Sequence, residues 1–110
     1  MRLNDIKNTY IKELTELGKK IEKENYKTFE EFLDRILDIG RFQYIVGGKW
    51  ETSYYQVCLS WGGPAVWIDT LYRIRILWSG ESLTETIEDP DARKAIDYLY
   101  EYIEEIYGGE

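Results

Sequence analysis

The spacing of the apolar residues changes twice along the 110-residue chain, and this change limits the possible folds more than any single motif does. Apolar residues recur at intervals of three and four up to about Gly40, alternate with other residues as far as Trp78, and return to intervals of three and four after Pro90. The first spacing is typical of amphipathic helices and the second of strands. The pattern therefore predicts an α+β fold with two N-terminal helices, an antiparallel sheet of three or four strands and one acidic C-terminal helix, in a single domain over residues 1–110.

Two helices are predicted before the sheet. The first extends from about Asn4 to Glu24, with Asn4 as its N-cap. Thr28 and Glu31 have the spacing of a capping box and mark the start of the second helix, and Gly40 lies where a left-handed C-cap would end it. The residues of these helices assigned to the core are Leu3, Ile6, Tyr10, Leu14, Leu17, Ile21, Phe29, Phe32, Leu33, Ile36 and Leu37.

The sheet is predicted from the alternation and from the turn residues between the alternating segments. Gly47-Gly48 and Gly62-Gly63-Pro64 are typical of tight turns, and all the connections are too short for a crossover helix, so neighbouring strands should pair antiparallel. Because a buried tryptophan covers a large apolar area, Trp61 and Trp78 are assigned to the core. The strands are expected at Arg41–Val46, Tyr54–Trp61, Ala65–Asp69 and Tyr72–Trp78.

The C-terminal helix is predicted to begin at Asp89-Pro90, because aspartate is a good N-cap and the first helical position needs no N–H. Residues 81–110 sum to -8, with 2 basic and 10 acidic side chains, whereas the whole chain carries -7. Three of these acids, Glu101, Glu104 and Glu105, lie near the negative end of the helix dipole, where acidic side chains lower helix stability. The core residues expected from this helix are Ala92, Ile96, Leu99, Ile103 and Ile106.

Carboxylates and tyrosines on the C-terminal helix form the first candidate site. Carboxylates imitate the phosphates of a nucleic acid and tyrosine rings imitate its bases, so this surface is expected to bind a basic nucleic-acid-binding groove on a partner protein. The alternative is a solvated helix face on an acidic protein. The residues concerned are Asp97, Tyr98, Glu101, Tyr102, Glu104 and Glu105.

A second candidate site lies on the predicted sheet, where Trp67 should share a face with Arg73 and Arg75. Such a face stacks the bases of a single strand or binds a small ligand, or else forms only a cation–π contact in solvent. Direct binding of duplex nucleic acid is not expected, because a net acidic domain lacks clustered cations. A third interpretation is self-association into a homodimer through the tyrosines of the last helix, Tyr98, Tyr100 and Tyr102.

Several classes of function are disfavoured by what the sequence lacks. No apolar run approaches the roughly 18 to 20 residues of a membrane span, and Met1–Lys7 lacks the apolar segment of a signal peptide, so a cytoplasmic protein without membrane contact is expected. The chain has no histidine, and Cys58 is its only cysteine, so neither structural zinc nor an activated thiol is expected. We therefore expect a non-catalytic protein with no cofactor, no metal site and no catalytic residues.

One segment carries a resemblance. Leu59-Ser60-Trp61-Gly62-Gly63-Pro64 is followed by Val66-Trp67-Ile68-Asp69-Thr70, a further tryptophan-containing strand and the acidic helix. This run, roughly residues 54–107, resembles small uncharacterised proteins of phages and mobile elements, and in size and charge the chain is similar to anti-CRISPR and anti-restriction proteins. The resemblance implies a phage or mobile-element setting and no reaction. Combined with the charge of -8 over residues 81–110, this setting leads us to expect an inhibitor that acts in the host cytoplasm on a CRISPR effector or a restriction enzyme, by nucleic-acid mimicry or by occlusion of a basic groove.

Overall fold

The computed structural model describes residues 2–108 and shows an α+β fold of three helices and a five-stranded antiparallel sheet. The strands follow one another across the sheet in chain order, β1-β2-β3-β4-β5. The predicted α+β class and the sequential antiparallel pairing are confirmed. The elements are α1 (Leu3–Glu22), α2 (Lys27–Asp34), β1 (Asp38–Val46), β2 (Lys49–Ser60), β3 (Ala65–Asp69), β4 (Arg73–Trp78), β5 (Glu81–Thr86) and α3 (Pro90–Tyr107).

The prediction of three or four strands is wrong, because β5 forms a fifth strand at one edge of the sheet. Its residues are mostly Glu, Ser and Thr, with Leu83 the single large apolar side chain, so the alternation that marks the other strands is weak here. An edge strand needs few apolar residues, since one of its flanks faces solvent. Ser79-Gly80 makes the turn from β4, and both residues have positive φ.

The predicted caps of the first two helices are wrong. Asn4 lies within α1, which begins at Leu3 after the N-cap Arg2. Thr28 lies in the first turn of α2, two residues after the N-cap Tyr26, and its hydroxyl oxygen accepts a hydrogen bond from Lys20 Nζ of α1 at 3.1 Å. Here a side-chain contact between helices replaces the local cap that the sequence spacing favours.

The predicted end of α2 at Gly40 is also wrong. The helix ends at Asp34, and Gly40 lies inside β1, opposite Gln56 of β2. The strand begins three residues earlier than predicted, and Leu37, assigned to the core, is 61% exposed. The helical spacing of apolar residues therefore continues into the segment that pairs with β2 as a strand.

The start of α3 is confirmed. The Asp89 carboxylate accepts a hydrogen bond from the backbone N–H of Ala92 at 2.9 Å, and Pro90 occupies the first turn. This bond lowers the pKa of Asp89, and the Thr15 hydroxyl of α1 donates a second bond to the same carboxylate at 3.2 Å. The N-terminus of α3 is thus attached to the middle of α1.

The helices pack on one face of the sheet, where the cross-strand neighbours Val57, Ile68 and Ile74 are fully buried. Most of the apolar helix residues predicted for the core contribute to this layer, but Ile106, in the last turn of α3, is 51% exposed. Helices α1 and α3 cross at Gly18, where an added Cβ would lie 1.8 Å from the backbone oxygen of Asp91. No helix formed by residues 2–108 has both the length and the apolar character to cross a bilayer.

No helix formed by residues 2–108 packs on the opposite face of the sheet, which is called the open face below. It includes the cross-strand neighbours Cys58, Trp67, Arg75 and Thr84. The core assignment of two tryptophans is wrong: Trp61 is 70% exposed and Trp78 is 38% exposed. Both lie at strand ends beside turns, beyond the cover of the helices, so their large apolar area meets solvent.

Candidate functional site

Two of the predicted acidic residues on α3 bind side chains of the same molecule. The Tyr72 hydroxyl donates a hydrogen bond to Asp97 at 2.5 Å, and the Tyr55 hydroxyl donates one to Glu104. Tyr55 is fully buried, and Glu104 is a hydrogen-bond partner for its phenol inside the molecule. These two acids therefore connect α3 to the sheet and to the turn after β3.

The same bonds raise the pKa of both phenols. For Tyr55, burial is the main cause and Glu104 adds to it; for Tyr72, the hydrogen bond to Asp97 is the main cause and burial adds to it. A phenol whose pKa is raised on folding contributes stability that is complete below the ordinary value near 10 and is lost as pH rises through the raised value. The two bonds are thus fully formed at neutral pH.

The tyrosines predicted to face a partner are partly packed inside the molecule. Tyr98 makes an edge-to-face contact with Phe29 of α2 at 4.7 Å between ring centroids, and Tyr102 contacts the same ring at 6.2 Å. Both are half-buried, whereas Tyr100 is 40% exposed. The self-association surface inferred from Tyr98, Tyr100 and Tyr102 therefore does not exist as three exposed rings.

An acidic and aromatic cluster joins α3 to α2. The ring of Tyr98 stacks on the ring of Tyr26 with 5.4 Å between centroids and 17° between planes. Burial is the largest cause of the raised pKa of Tyr98, and the charges of nearby carboxylates raise it further. Those carboxylates belong to Glu30, Glu101 and Glu105, which are all exposed. We call Tyr26, Glu30, Tyr98, Glu101 and Glu105 the acidic patch.

The carboxylates of the acidic patch have no cation beside them, which is also true of most other acids among residues 2–108, whereas five acids are paired. Glu13 pairs with Arg35 at 2.7 Å, Glu85 pairs with Lys7 at 2.7 Å, and Glu22 pairs with Lys94. Among residues 2–108, no Lys or Arg nitrogen lies within 4.0 Å of Glu30, Glu101 or Glu105. Tyr26 and Glu30 are not among the residues predicted from sequence, because only the packing of α2 on α3 brings them to this surface.

The open face holds the second predicted site. The guanidinium of Arg75 lies over the ring of Trp67 at 4.7 Å, and that of Arg73 lies over the ring of Tyr54 at 5.0 Å. Further rings extend both stacks: Phe42 is parallel to Tyr54 at 4.5 Å, and Trp61 meets Trp67 edge-on at 5.9 Å. Trp67, Arg73 and Arg75 lie on the same face of the sheet, and Trp67 and Arg75 form a cation–π contact.

A buried carboxylate that sequence reasoning missed lies beside these stacks. Asp69 accepts hydrogen bonds from the backbone N–H of Leu71 at 2.9 Å and of Arg73 at 3.1 Å, and pairs with Arg73 Nε at 2.8 Å. Burial alone would lower the pKa of Arg73, but this pairing outweighs it and raises that pKa. An Asp directly before a turn, where its side chain can bind the backbone N–H two residues further on, is the usual signal for such bonds. Asp69 thus fixes the β3–β4 turn.

Two depressions lie next to these residues. A shallow cavity of about 180 Å³ on the open face has Gln56, Trp67 and Arg75 among its lining residues. A wider groove of about 730 Å³ lies between the start of β1 and the end of α3, where Arg41 Nη1 donates a hydrogen bond to the backbone oxygen of Tyr107 at 3.0 Å. The groove was not predicted, because it joins residues far apart in the sequence.

Cys58 and the carboxylates form no metal site within residues 2–108. The Cys58 thiol is buried, and burial is the main cause of its raised pKa, which disfavours the nucleophilic thiolate. Comparison with protein-family models, with curated proteins and with solved structures found no match to this chain. The arrangement of the site residues is therefore the basis for assigning a function.

Proposed function

We propose that this chain is a non-catalytic binding protein whose acidic patch occupies the basic nucleic-acid-binding groove of a partner, and that the partner is a host defence complex of the CRISPR or restriction type. The observation that carries the proposal is the stacked pair Tyr26 and Tyr98 surrounded by three carboxylates without cations. Encounter with a basic groove is accelerated by the net charge of -7.

The geometry of the acidic patch supports imitation of a nucleic acid. Two nearly parallel rings present an apolar, stacked surface like that of neighbouring bases, and the carboxylates around them carry the charge that phosphates would carry. Exposed acids near the end of a helix lower its stability, which is consistent with a role in binding. Because the phenol bonds of Asp97 and Glu104 hold α3 in place, the patch is preorganised.

The test reverses the three carboxylates with Glu30→Lys, Glu101→Lys and Glu105→Lys in one variant. Glu104 is left unchanged because its reversal would remove the partner of buried Tyr55. Binding to purified CRISPR effector and restriction complexes would be measured at about 50 mM and 500 mM salt, which weakens exposed charge contacts. We expect wild type to bind and inhibit at low salt, and the variant to lose roughly 100-fold in affinity.

A matched control distinguishes the effect of the patch carboxylates on binding from the effect of overall charge. Glu51→Lys, Glu81→Lys and Glu88→Lys change the net charge by the same amount at exposed positions outside the patch. This variant should keep most of the affinity. An equal loss of affinity in both variants would mean that net charge alone explains the effect. If the variant with the three patch reversals still inhibits, the proposal is contradicted.

A second candidate, binding of single-stranded nucleic acid to the open face, is favoured by the two aromatic and arginine stacks. Against it, Arg73 is already paired with Asp69, so few charges remain for phosphate. Titration of single-stranded RNA and DNA would quench the fluorescence of Trp67 if this face binds them. The Trp67→Phe variant identifies the signal of that ring, and unchanged wild-type fluorescence at low salt would eliminate this candidate.

A further inference from the structure

The two edges of the sheet differ in how they are protected from pairing with another strand. The β5 edge is six residues long and polar, with Glu81 and Glu85 in it, which discourages pairing. The β1 edge is nine residues long, and between Ile39 and Val46 its only charged residue is Arg41. Long apolar edges without prolines or repeated charges are the ones that accept a further strand.

The backbone along the β1 edge is available over most of its length. The N–H of Ile39 is bonded to the Asp38 carboxylate at 2.9 Å, which occupies the first residues of the strand. Among residues 2–108, β2 is the only strand paired with β1, so Gly40–Val46 has one unpaired flank. Unpaired N–H and C=O groups in register are a template for antiparallel pairing.

Large apolar side chains surround this flank. Gly47 and Gly48, both with positive φ, make the two-residue turn between β1 and β2, and every residue from Arg41 to Glu51 is exposed. The apolar residues left in solvent are between 41% and 66% exposed: Leu37, Phe42, Tyr44, Ile45, Val46 and Trp50.

The exposed area is close to what one partner brings to a stable interface. At about 200 Å² for a fully exposed large side chain, these six residues expose on the order of 600 Å² per molecule. A standard interface takes about 800 Å² from each partner. The rest of the buried area has to come from the backbone and the polar side chains of β1.

We propose that two copies of this chain pair through β1, antiparallel and about a two-fold axis, to form a continuous ten-stranded sheet. An antiparallel pair of identical edges is self-complementary, as a closed two-fold interface requires. Charge favours this surface as well, because residues 39–50 carry only Arg41 and Lys49 in a chain whose acids lie elsewhere. Two copies, each with a net charge of -7, repel least at this edge.

The test compares two doubly substituted variants of the full chain by sedimentation over about 1 to 200 µM, spanning the affinities of common dimers. Tyr44→Lys with Val46→Lys places four like charges in a two-fold pair but alters only exposed residues in the monomer. Ser82→Lys with Thr84→Lys is the control, with the same spacing at the exposed β5 edge. Circular dichroism melts verify that both variants fold.

We expect wild type and control to reach twice the 13.1 kDa of the chain, and the β1 variant to dissociate at least about 30-fold more readily. Amide exchange of residues 40–46 in wild type should slow as the concentration rises. A wild-type monomer at all concentrations would overturn the proposal. A dimer unaffected by the β1 substitutions, or one without concentration-dependent protection of these amides, would also overturn it. Neither outcome bears on the acidic patch.

Discussion

Replacing Gly18 with alanine should lower the free energy of unfolding by about 3 kcal/mol, although the same change in an ordinary helix interior raises it by up to about 1 kcal/mol. Gly18 is buried where α1 crosses α3, and a Cβ there would lie 1.8 Å from the backbone oxygen of Asp91. A backbone atom cannot rotate away, so the two helices have to separate and the core beneath them loses contact. Urea unfolding followed by circular dichroism measures the change.

The control for Gly18→Ala is Glu16→Ala, which places the same residue on the exposed side of α1. That variant should change the free energy of unfolding by less than about 0.5 kcal/mol. A thermal melt should show Gly18→Ala lower than wild type by roughly 15 °C. If Gly18→Ala is as stable as the control, the close crossing of α1 and α3 is incorrect.

Replacing Asp69 with alanine should lower the free energy of unfolding by about 3 kcal/mol. The substitution removes the acceptor of two backbone N–H groups, those of Leu71 and Arg73, and the ion-pair partner of the Arg73 guanidinium. The turn they form also holds Tyr72 at a φ of 64°, a conformation that a non-glycine residue adopts at some cost in energy. Chemical unfolding of the full chain measures the loss.

Asp69→Asn distinguishes the two contributions of the carboxylate. Asparagine keeps an oxygen for the backbone N–H groups but has no charge for Arg73, so it should lose about half as much stability as alanine. Equal losses would mean that the ion pair dominates. A loss below about 0.5 kcal/mol for alanine would contradict the role of Asp69 in the turn.

The sequence patterns predict the elements whose signals are local. The residues of β3 were predicted without error, and the N-cap Asp89 was identified, because alternation and capping depend on near neighbours. Elements that depend on contacts between residues far apart in the sequence are not predicted. The polar strand β5 forms because β4 offers a partner, and Gly40 enters β1 because Gln56 lies opposite it. Tryptophans were placed in the core by size, but Trp61 lies outside the area that three helices cover.

The candidate site shows the same difference between features set by near neighbours and features set by long-range contacts. Glu101 and Glu105 were predicted from the charge of the last helix, and the structure leaves both exposed. Asp97 and Glu104 carry identical charge in the sequence but bind tyrosines that are 25 and 49 residues away along the chain. Tyr26 joins the site only through its stack on Tyr98. Sequence spacing alone does not distinguish an acid available to a partner from one already bonded within the molecule.

The crossing of α1 and α3 has a consequence for the order of folding. The helix layer is closed by contact between Gly18 and Asp91, so the part of α1 that faces α3 is covered only after the last helix docks. During synthesis the sheet can form its hairpins strand by strand, since each strand pairs with its neighbour in sequence. The non-local helix contact adds the closure of a long loop, which slows folding. Before α3 docks, the chain therefore exposes apolar surface of α1 and the sheet, and transiently exposed apolar surface of this kind favours aggregation.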